Sequence, residues 1–495
     1  MRTPPIDGLE TLTDADLASL RERFQRLGFV PEVLARAESV APGQLDVVSL
    51  PLVRWTLRAR GEPGDRIALL FTYGDAVSAA EVSSDLGQGL VRSLVDAGVL
   101  HEGPAGLVCP FRLIPLEGLW ILGDEPSAGP DAVMGPGPTT LELLRNLPAR
   151  CDGKVLDLGT GAGTFALALA GRGAARVVAT DLNPRAARIA RFNARLNGLQ
   201  LDVRVGDLEA PVRGERFAWV VSQPAYVFRP PDEPAVVFLH GGPRGDELSF
   251  RVLGALSALL EDSGTALVLF DTPLEPASPL VTRVRGALGD DGLSLLLLAA
   301  PAASAGAQAV AYAALAHPGL GPAYEAAVER NRAYLEALGH REWKHVLACV
   351  RRSPGRAPFT VQLPVAGLQT RGPEALEALL SGIDAAALPD DALRTVPLGP
   401  LPGLRLPAQL TLDGEVAHLE AQPGRGELAT ACQLDGDDLD LLRSLSASPD
   451  VGAALAALTA QPATPWMDRV RELAGRGLLV DRRALRWMPG PGVPR

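Results

Sequence analysis

A chain of 495 residues has room for two to four domains and a large buried core. Its 47% hydrophobic and 21% charged residues fit a soluble globular protein. A net charge of −11 argues against a general nucleic-acid binder, which needs a basic face for phosphates. The four cysteines and six histidines form no CxxC or Cys/His cluster. Neither a disulfide framework nor a metal site is therefore expected, the His340–His345 pair beside Glu342 included. The opening residues, MRTPPIDGLETLTDADL, contain no apolar targeting segment, and no run of 18 clean apolar residues follows; a cytoplasmic protein is expected.

In chain order, residues 13–27 read as a helix, with Thr13 or Asp14 as N-cap and Leu17, Leu20, Phe24 and Leu27 at helical spacing. More helices follow to about residue 98, the last two in AAEVSSDLGQGLVRSLVDAGVL. The strand-like stretches GLVCPFRLIP and GLWILGD come next, so residues 1–125 predict a mostly helical, winged-helix-like domain. Its second helix sets only Arg92 against Asp96, a poor charge pattern for reading DNA. A Gly/Pro-rich link over 123–148 leads into alternating strands and helices from Lys154. The strands are KVLDLG, RVVATDL, LDVRVGD, FAWVVSQ, TALVLFDTP, LSLLLLAAP and EWKHVLACVRR, seven in all. Repeated β-α units predict a mostly parallel sheet covered on both faces, an α/β domain over 126–354. Past Pro354 the composition loosens; the tail reads as helices and then a short hairpin. That makes 355–495 an α+β, winged-helix-like accessory domain.

VLDLGTGAGTFAL (155–167) is the most specific stretch. A strand ending in Asp157 runs through Gly159, Gly161 and Gly163 into a helix, and glycines there let a backbone approach a ligand closely. A second acid, Asp181, closes the next strand, where it can accept hydrogen bonds from two ribose hydroxyls. The dinucleotide fingerprint would need glycine at Thr164. The D-x-G-x-G-x-G pattern instead resembles motif I of the class I S-adenosylmethionine-dependent methyltransferases, which have a Rossmann-like seven-stranded fold. The resemblance implies S-adenosylmethionine as cofactor, held by Asp157, Gly159, Thr160, Gly161 and Gly163. It also implies Asp181 and Leu182 at the ribose, and Asp207 and Leu208, from VRVGDL, by the adenine.

The fourth strand runs into Ser222-Gln223-Pro224-Ala225-Tyr226. This position matches the (N/D/S)-P-P-(Y/F/W) motif of amino-group methyltransferases. A planar amide or exocyclic amine is a poor nucleophile because its lone pair is delocalised. The motif's first residue and a backbone carbonyl accept its N–H bonds, and the aromatic residue stacks on the planar group. Transfer then needs mainly alignment and desolvation. Here Gln223 keeps an acceptor one methylene longer, Ala225 replaces the second proline, and Tyr226 is retained. Gln223, Pro224 and Tyr226 are the catalytic candidates, with Gln223 also touching the cofactor.

HGGPRGDELSFRVL (240–253) and AVMGPGPTTLELL (132–144) are similar to segments of the release-factor glutamine methyltransferases and related small methyltransferases, the latter to a loop that closes over the cofactor. The expected activity is methyl transfer to a nitrogen of a protein, peptide or small-molecule acceptor. An O- or C-methyltransferase, with Asp246, Glu247 or His240 as base, is the alternative; a non-catalytic cofactor-binding regulator is a third reading. A nucleic-acid or membrane partner is not expected, and the sequence leaves oligomeric state open.

Overall fold

A computed structural model describes residues 3–39, 49–125, 128–290, 292–317, 321–355, 357–365, 367–368, 373–410, 416–421, 432–458 and 465–487. The central sheet contains β1 (Lys154–Leu158), β2 (Arg176–Asp181), β3 (Asp202–Val205), β4 (Phe217–Ser222), β5 (Leu260–Pro273), β6 (Leu293–Ala299), β7 (Glu342–Arg352) and β8 (Thr360–Pro364). Their order is 8-6-7-5-4-1-2-3, and β7 alone among these eight is antiparallel to its neighbours. All seven expected strands are present. β8 is an addition that sequence reading passed over, because its five residues hold only two apolar side chains of strand type, Val361 and Leu363, before Pro364. A proline is tolerated there because the strand lies at an edge.

Alternation along the strands gives the sheet two apolar faces. Val155, Val177, Val221, Leu267, Leu296 and Leu347 pack with the helices Pro138–Asn146, Thr164–Gly171 and Pro373–Ala386. Leu156, Val178, Val220, Val268, Leu297 and Val346 pack on the other face, with Glu247–Leu259 and Leu280–Leu288. The connections reverse direction at the boundary between β1 and β4, so the carboxyl ends of β1, β2 and β4 open into one crevice, the usual ligand position in such sheets. Between β6 and β7 the chain forms two more helices, Ala305–Ala316 and Pro322–Ala337, beside that crevice.

The N-terminal region is helical, as expected. Thr13 is the N-cap of Asp14–Leu27 and exchanges hydrogen bonds with Asp16 in a capping box. Helices Ala79–Leu86 and Gln88–Asp96 lead into a ribbon of His101–Gly103 and Gly106–Val108. GLVCPFRLIP is not one strand. Gly106–Val108 pairs back with His101–Gly103, whereas Phe111–Leu116 pairs forward with Leu119–Asp124; the break falls at Pro110, which has no N–H to donate. The expected C-terminal hairpin is also corrected. Leu479–Asp481 pairs with the distant Leu398–Pro400, and the residues after it turn into a 3₁₀ segment, Ala484–Trp487.

Helix Pro184–Asn197 joins the N-terminal region to the sheet through two asparagines one turn apart. Asn193 accepts from the Leu122 N–H (2.9 Å) and donates to Leu122 O and Ala162 O (both 2.8 Å). Asn197 does the same to Trp120, at 2.9 and 2.8 Å. The pair thus takes the place of a neighbouring strand along the hairpin edge. Asn193→Leu leaves buried backbone groups unpaired at a cost of about 1–3 kcal/mol each. Differential scanning calorimetry should show the N-terminal region melting several degrees earlier in this variant.

Candidate active site

β1 passes through Gly159-Thr160-Gly161-Ala162-Gly163 into helix Thr164–Gly171. The three glycines have φ of +79°, +54° and +88°, a region side chains avoid. Nothing lies within 4 Å of where a Cβ would stand on Gly159 or Gly161, so the turn presents bare backbone to open space. On Gly163 a Cβ would stand 3.2 Å from that of Ala190, so this glycine serves close packing with helix Pro184–Asn197. Asp157 lies fully buried beneath the turn, accepting from the Thr160 hydroxyl (2.6 Å) and the Ala166 N–H (3.0 Å). Neither Asp157 nor Gly163 lines the cavity in front of the turn; both shape the loop from behind.

Burial pushes the Asp157 carboxyl up to about 7, with the neighbouring charge of Asp181 adding to it and the two hydrogen bonds opposing. The folded chain therefore holds a proton that the unfolded chain releases near 4, so stability falls as pH rises from about 4 to 7. Asp157→Asn mimics the protonated form. Its melting temperature should lack that decline, and melting curves across pH 4–8 for both proteins measure the difference.

Asp181 ends β2 and lines the cavity. Its two oxygens accept from the Gly161 and Asn183 N–H groups, each at 2.8 Å, which fixes the carboxylate against the glycine turn. Burial pushes its pKa up, against those hydrogen bonds. Leu182, 60% exposed, continues this wall. Asp207 and Leu208 form the next. Leu208 holds φ at +46°, an uncommon conformation for a side-chain-bearing residue. Asp207 pairs at the surface with Arg251 (2.7 Å).

Gln223, Pro224, Ala225 and Tyr226 line the same cavity, which encloses about 440 Å³. Gln223 donates from Nε2 to Thr139 Oγ1 (2.7 Å), and the Tyr226 hydroxyl donates to that oxygen (3.3 Å). Burial, helped by the charge of Asp271, pushes the Tyr226 hydroxyl's pKa up and keeps it protonated. The segment after the motif locks it in place. Val227 N–H donates to Leu239 O (2.9 Å), and Gly241 and Gly245 lie so close to the loop backbone that a Cβ would stand 2.3 Å from Ala225 O and 2.5 Å from Tyr226 O.

Residues of the 132–140 segment also line the cavity. This loop is tied down by Asp124, which accepts from the Val133 N–H (2.9 Å) and from Arg185 through both oxygens (2.6 and 2.7 Å), and by Asn183, which donates to Asp131 O (2.9 Å). The cavity suits S-adenosylmethionine on its own geometry. It has the size of a small-molecule site, bare backbone where glycine lacks Cβ, the half-buried carboxylate of Asp181 able to accept from two hydroxyls, and apolar walls from Leu182, Phe165 and Val252.

The alternative bases are engaged elsewhere. Asp246 is buried, accepts from the Thr272 hydroxyl (2.6 Å) and pairs with Arg283. Glu247 accepts from the Arg244 and Gly245 N–H groups (2.9 and 3.0 Å). His240 accepts from the Val236 N–H (3.0 Å), and burial, with Arg229 nearby, lowers its pKa to about 4. None of the three lines the cavity.

Sequence reading missed the groups behind Tyr226. His345, on β7, bonds through Nε2 to Glu142 (2.9 Å) and through Nδ1 to Asp271, at the end of β5. Burial alone would push its pKa down; the two carboxylates outweigh that and lift it to about 9, so it is protonated at neutral pH. Asp271 also accepts from Tyr312 (2.7 Å) and Gln308 (2.9 Å). A signal was present: Asp271 closes an apolar strand just as Asp157, Asp181 and Asp207 do, and His345 interrupts another. Among the described residues no group of His, Cys, Asp and Glu is arranged to hold a metal ion, and no helix is long and apolar enough to cross a membrane.

A family model described as "Methyltransferase small domain" matches residues 137–233. A protein of Methanocaldococcus jannaschii, provisionally named protein N5-glutamine methyltransferase, is 31% identical over 28% of this chain and 71% of its own length. The release factor glutamine methyltransferases of Xylella fastidiosa and Deinococcus radiodurans are 36% and 34% identical, over 32% and 27% of this chain. Of these two relatives the chain spans only about half the length, 55% and 51%.

Proposed function

The chain belongs to the class I S-adenosylmethionine-dependent methyltransferases of the small-domain group, and from this premise we propose that it methylates a nitrogen, amide or amine, on a protein, peptide or small-molecule acceptor. One observation carries the proposal: Gln223 and Tyr226 face the same cavity as the glycine turn and Asp181. Bound S-adenosylmethionine supplies an electrophilic methyl group on a sulfonium. Asp181 would accept from the two ribose hydroxyls, and Leu182, Leu208 and Asp207, which line the same cavity, would hold the adenosine. Gln223, whose Nε2 is given to Thr139, would offer Oε1 to an acceptor N–H, with the Tyr226 ring supporting the planar group; as the nitrogen bonds the methyl carbon the carbon–sulfur bond breaks, the neutral thioether leaves, and the surplus N–H proton passes to solvent. The apolar lining keeps water from the nucleophile, so alignment and desolvation do most of the work.

Nitrogen is favoured over a high-pKa oxygen because the three candidate bases are outside the cavity and already bonded. The relatives' names support a protein glutamine amide as the first acceptor to try. In this reading residues 126–354 carry the chemistry, with β8 and helix Pro373–Ala386 completing their sheet and its cover; 1–125 is an accessory module of winged-helix-like pattern, and the rest of 355–495 is accessory. The helix pair and ribbon over 79–108 support this for the first module. The test is transfer of tritiated methyl from S-adenosylmethionine to glutamine-containing peptides and to small amides and amines. Gln223→Ala should lower transfer about 100-fold, the usual cost of removing one group aimed at the reacting centre. Equal transfer by wild type and variant would remove Gln223 from the chemistry.

A further inference from the structure

Gln223 differs from a shorter asparagine in reach, and its extra methylene carries Nε2 to Thr139 on another element. Thr139 is in the first turn of helix Pro138–Asn146, and its Oγ1 accepts from both Gln223 and Tyr226. Three residues further along, and so on the same helical face, Glu142 bonds His345 Nε2 (2.9 Å). The other ring nitrogen of His345 is held by Asp271, whose second oxygen takes Tyr312 and Gln308 from the helix inserted between β6 and β7. The Tyr226 ring meets the His345 ring edge-on at 6.3 Å. The helix carrying Thr139 is thus fastened to β5 and β7 at the level of the acceptor wall.

We propose that Thr139 is the positioning residue that fixes the Gln223 amide, and that Glu142, His345 and Asp271 form a latch holding Thr139 there. With Nε2 committed to Thr139, only the amide oxygen faces the acceptor, so the group admitted is an N–H donor. This consequence rests on the nitrogen-transfer reading; the latch itself does not. The arrangement also explains how the loop keeps its shape with Ala225 in place of a stiffening proline: the restraint comes from Thr139 across the cavity instead of from the loop's own backbone.

Hydrogen–deuterium exchange on the full chain, read on peptides covering 138–146 and 219–228, tests this with neither donor nor acceptor present. Thr139→Val should speed exchange in 219–228 about 10-fold, equivalent to about 1.4 kcal/mol of lost hydrogen bonding. Thr139→Ser, which keeps the hydroxyl, should restore the wild-type rate. Glu142→Gln keeps the shape but removes one charge on His345, and should speed both segments together. Wild-type rates in 219–228 for Thr139→Val, or no rescue by Thr139→Ser, would overturn the positioning role. So would Glu142→Gln loosening 138–146 while leaving 219–228 unchanged. His345→Leu strands two carboxylates and can unfold the region, which is why the two milder variants decide. Failure of S-adenosylmethionine to bind would count against the proposed function and leave these exchange results standing.

Discussion

Asp181→Ala is expected to weaken S-adenosylmethionine binding by about 100-fold or more. Hydrogen bonds to a charged group contribute about 1.5–3 kcal/mol each, and two ribose hydroxyls would be lost together. The same change strips the Gly161 and Asn183 N–H groups of their acceptor, so the glycine turn loosens as well. Asp181→Asn retains one acceptor oxygen and should fall between the two. Isothermal calorimetry measures the affinities, and a ligand-induced rise in melting temperature should be present in wild type and absent in Asp181→Ala. The expectation assumes that the variant folds, which its own melting curve establishes.

Gly241→Ala should destroy methyl transfer while sparing the donor side. A Cβ at Gly241 would stand 2.0 Å from Gly245 O and 2.3 Å from Ala225 O, both backbone atoms with nowhere to retreat. The strand-like pairing of Val227–Phe228 with His240–Gly242 must then part, and with it the support of the Gln223–Tyr226 loop. Overpacking of this kind costs about 1–3 kcal/mol or more. Transfer should drop below about 1% of wild type, with S-adenosylmethionine affinity within a few-fold, because the clashes at Gly241 fall on Gly245 and Ala225 and not on the glycine turn or Asp181. Comparing calorimetry with the tritium assay on one preparation checks both halves. Loss of donor binding as well would mean that the two walls are not independent.

The donor side was legible because its signals are local. Three glycines after an apolar strand, and an acid at the end of the next, are close in sequence and constrained by backbone geometry alone. Even there, sequence could not tell Asp181, which meets the cavity, from Asp157, which is buried behind the loop; both simply end strands. The acceptor side was half legible. Gln-Pro-Ala-Tyr announced itself, but its partners Thr139, Glu142, Asp271, Tyr312 and His345 come from segments up to 206 positions apart, brought together only by the strand order. His345 read only as a pair with His340 beside Glu342, yet its bonds run to β5 and the helix at 138–146, and His340 packs edge-on against Trp343. In the flanks, helices with caps and heptad-like spacing were readable, whereas short strands were not. Pro110 divided one apparent strand, and β8 has too few apolar residues to show a period.

In the proposed reading one cavity holds both the methyl donor and the acceptor. Calorimetric titration of S-adenosylmethionine into wild type and Gln223→Ala tests it most directly. The predicted result is one-to-one binding in both proteins with affinities within a few-fold, since the proposed reading gives Gln223 to the acceptor and Asp181 with the glycine turn to the donor. No binding to wild type, or binding abolished by Gln223→Ala in a protein that melts normally, would contradict it.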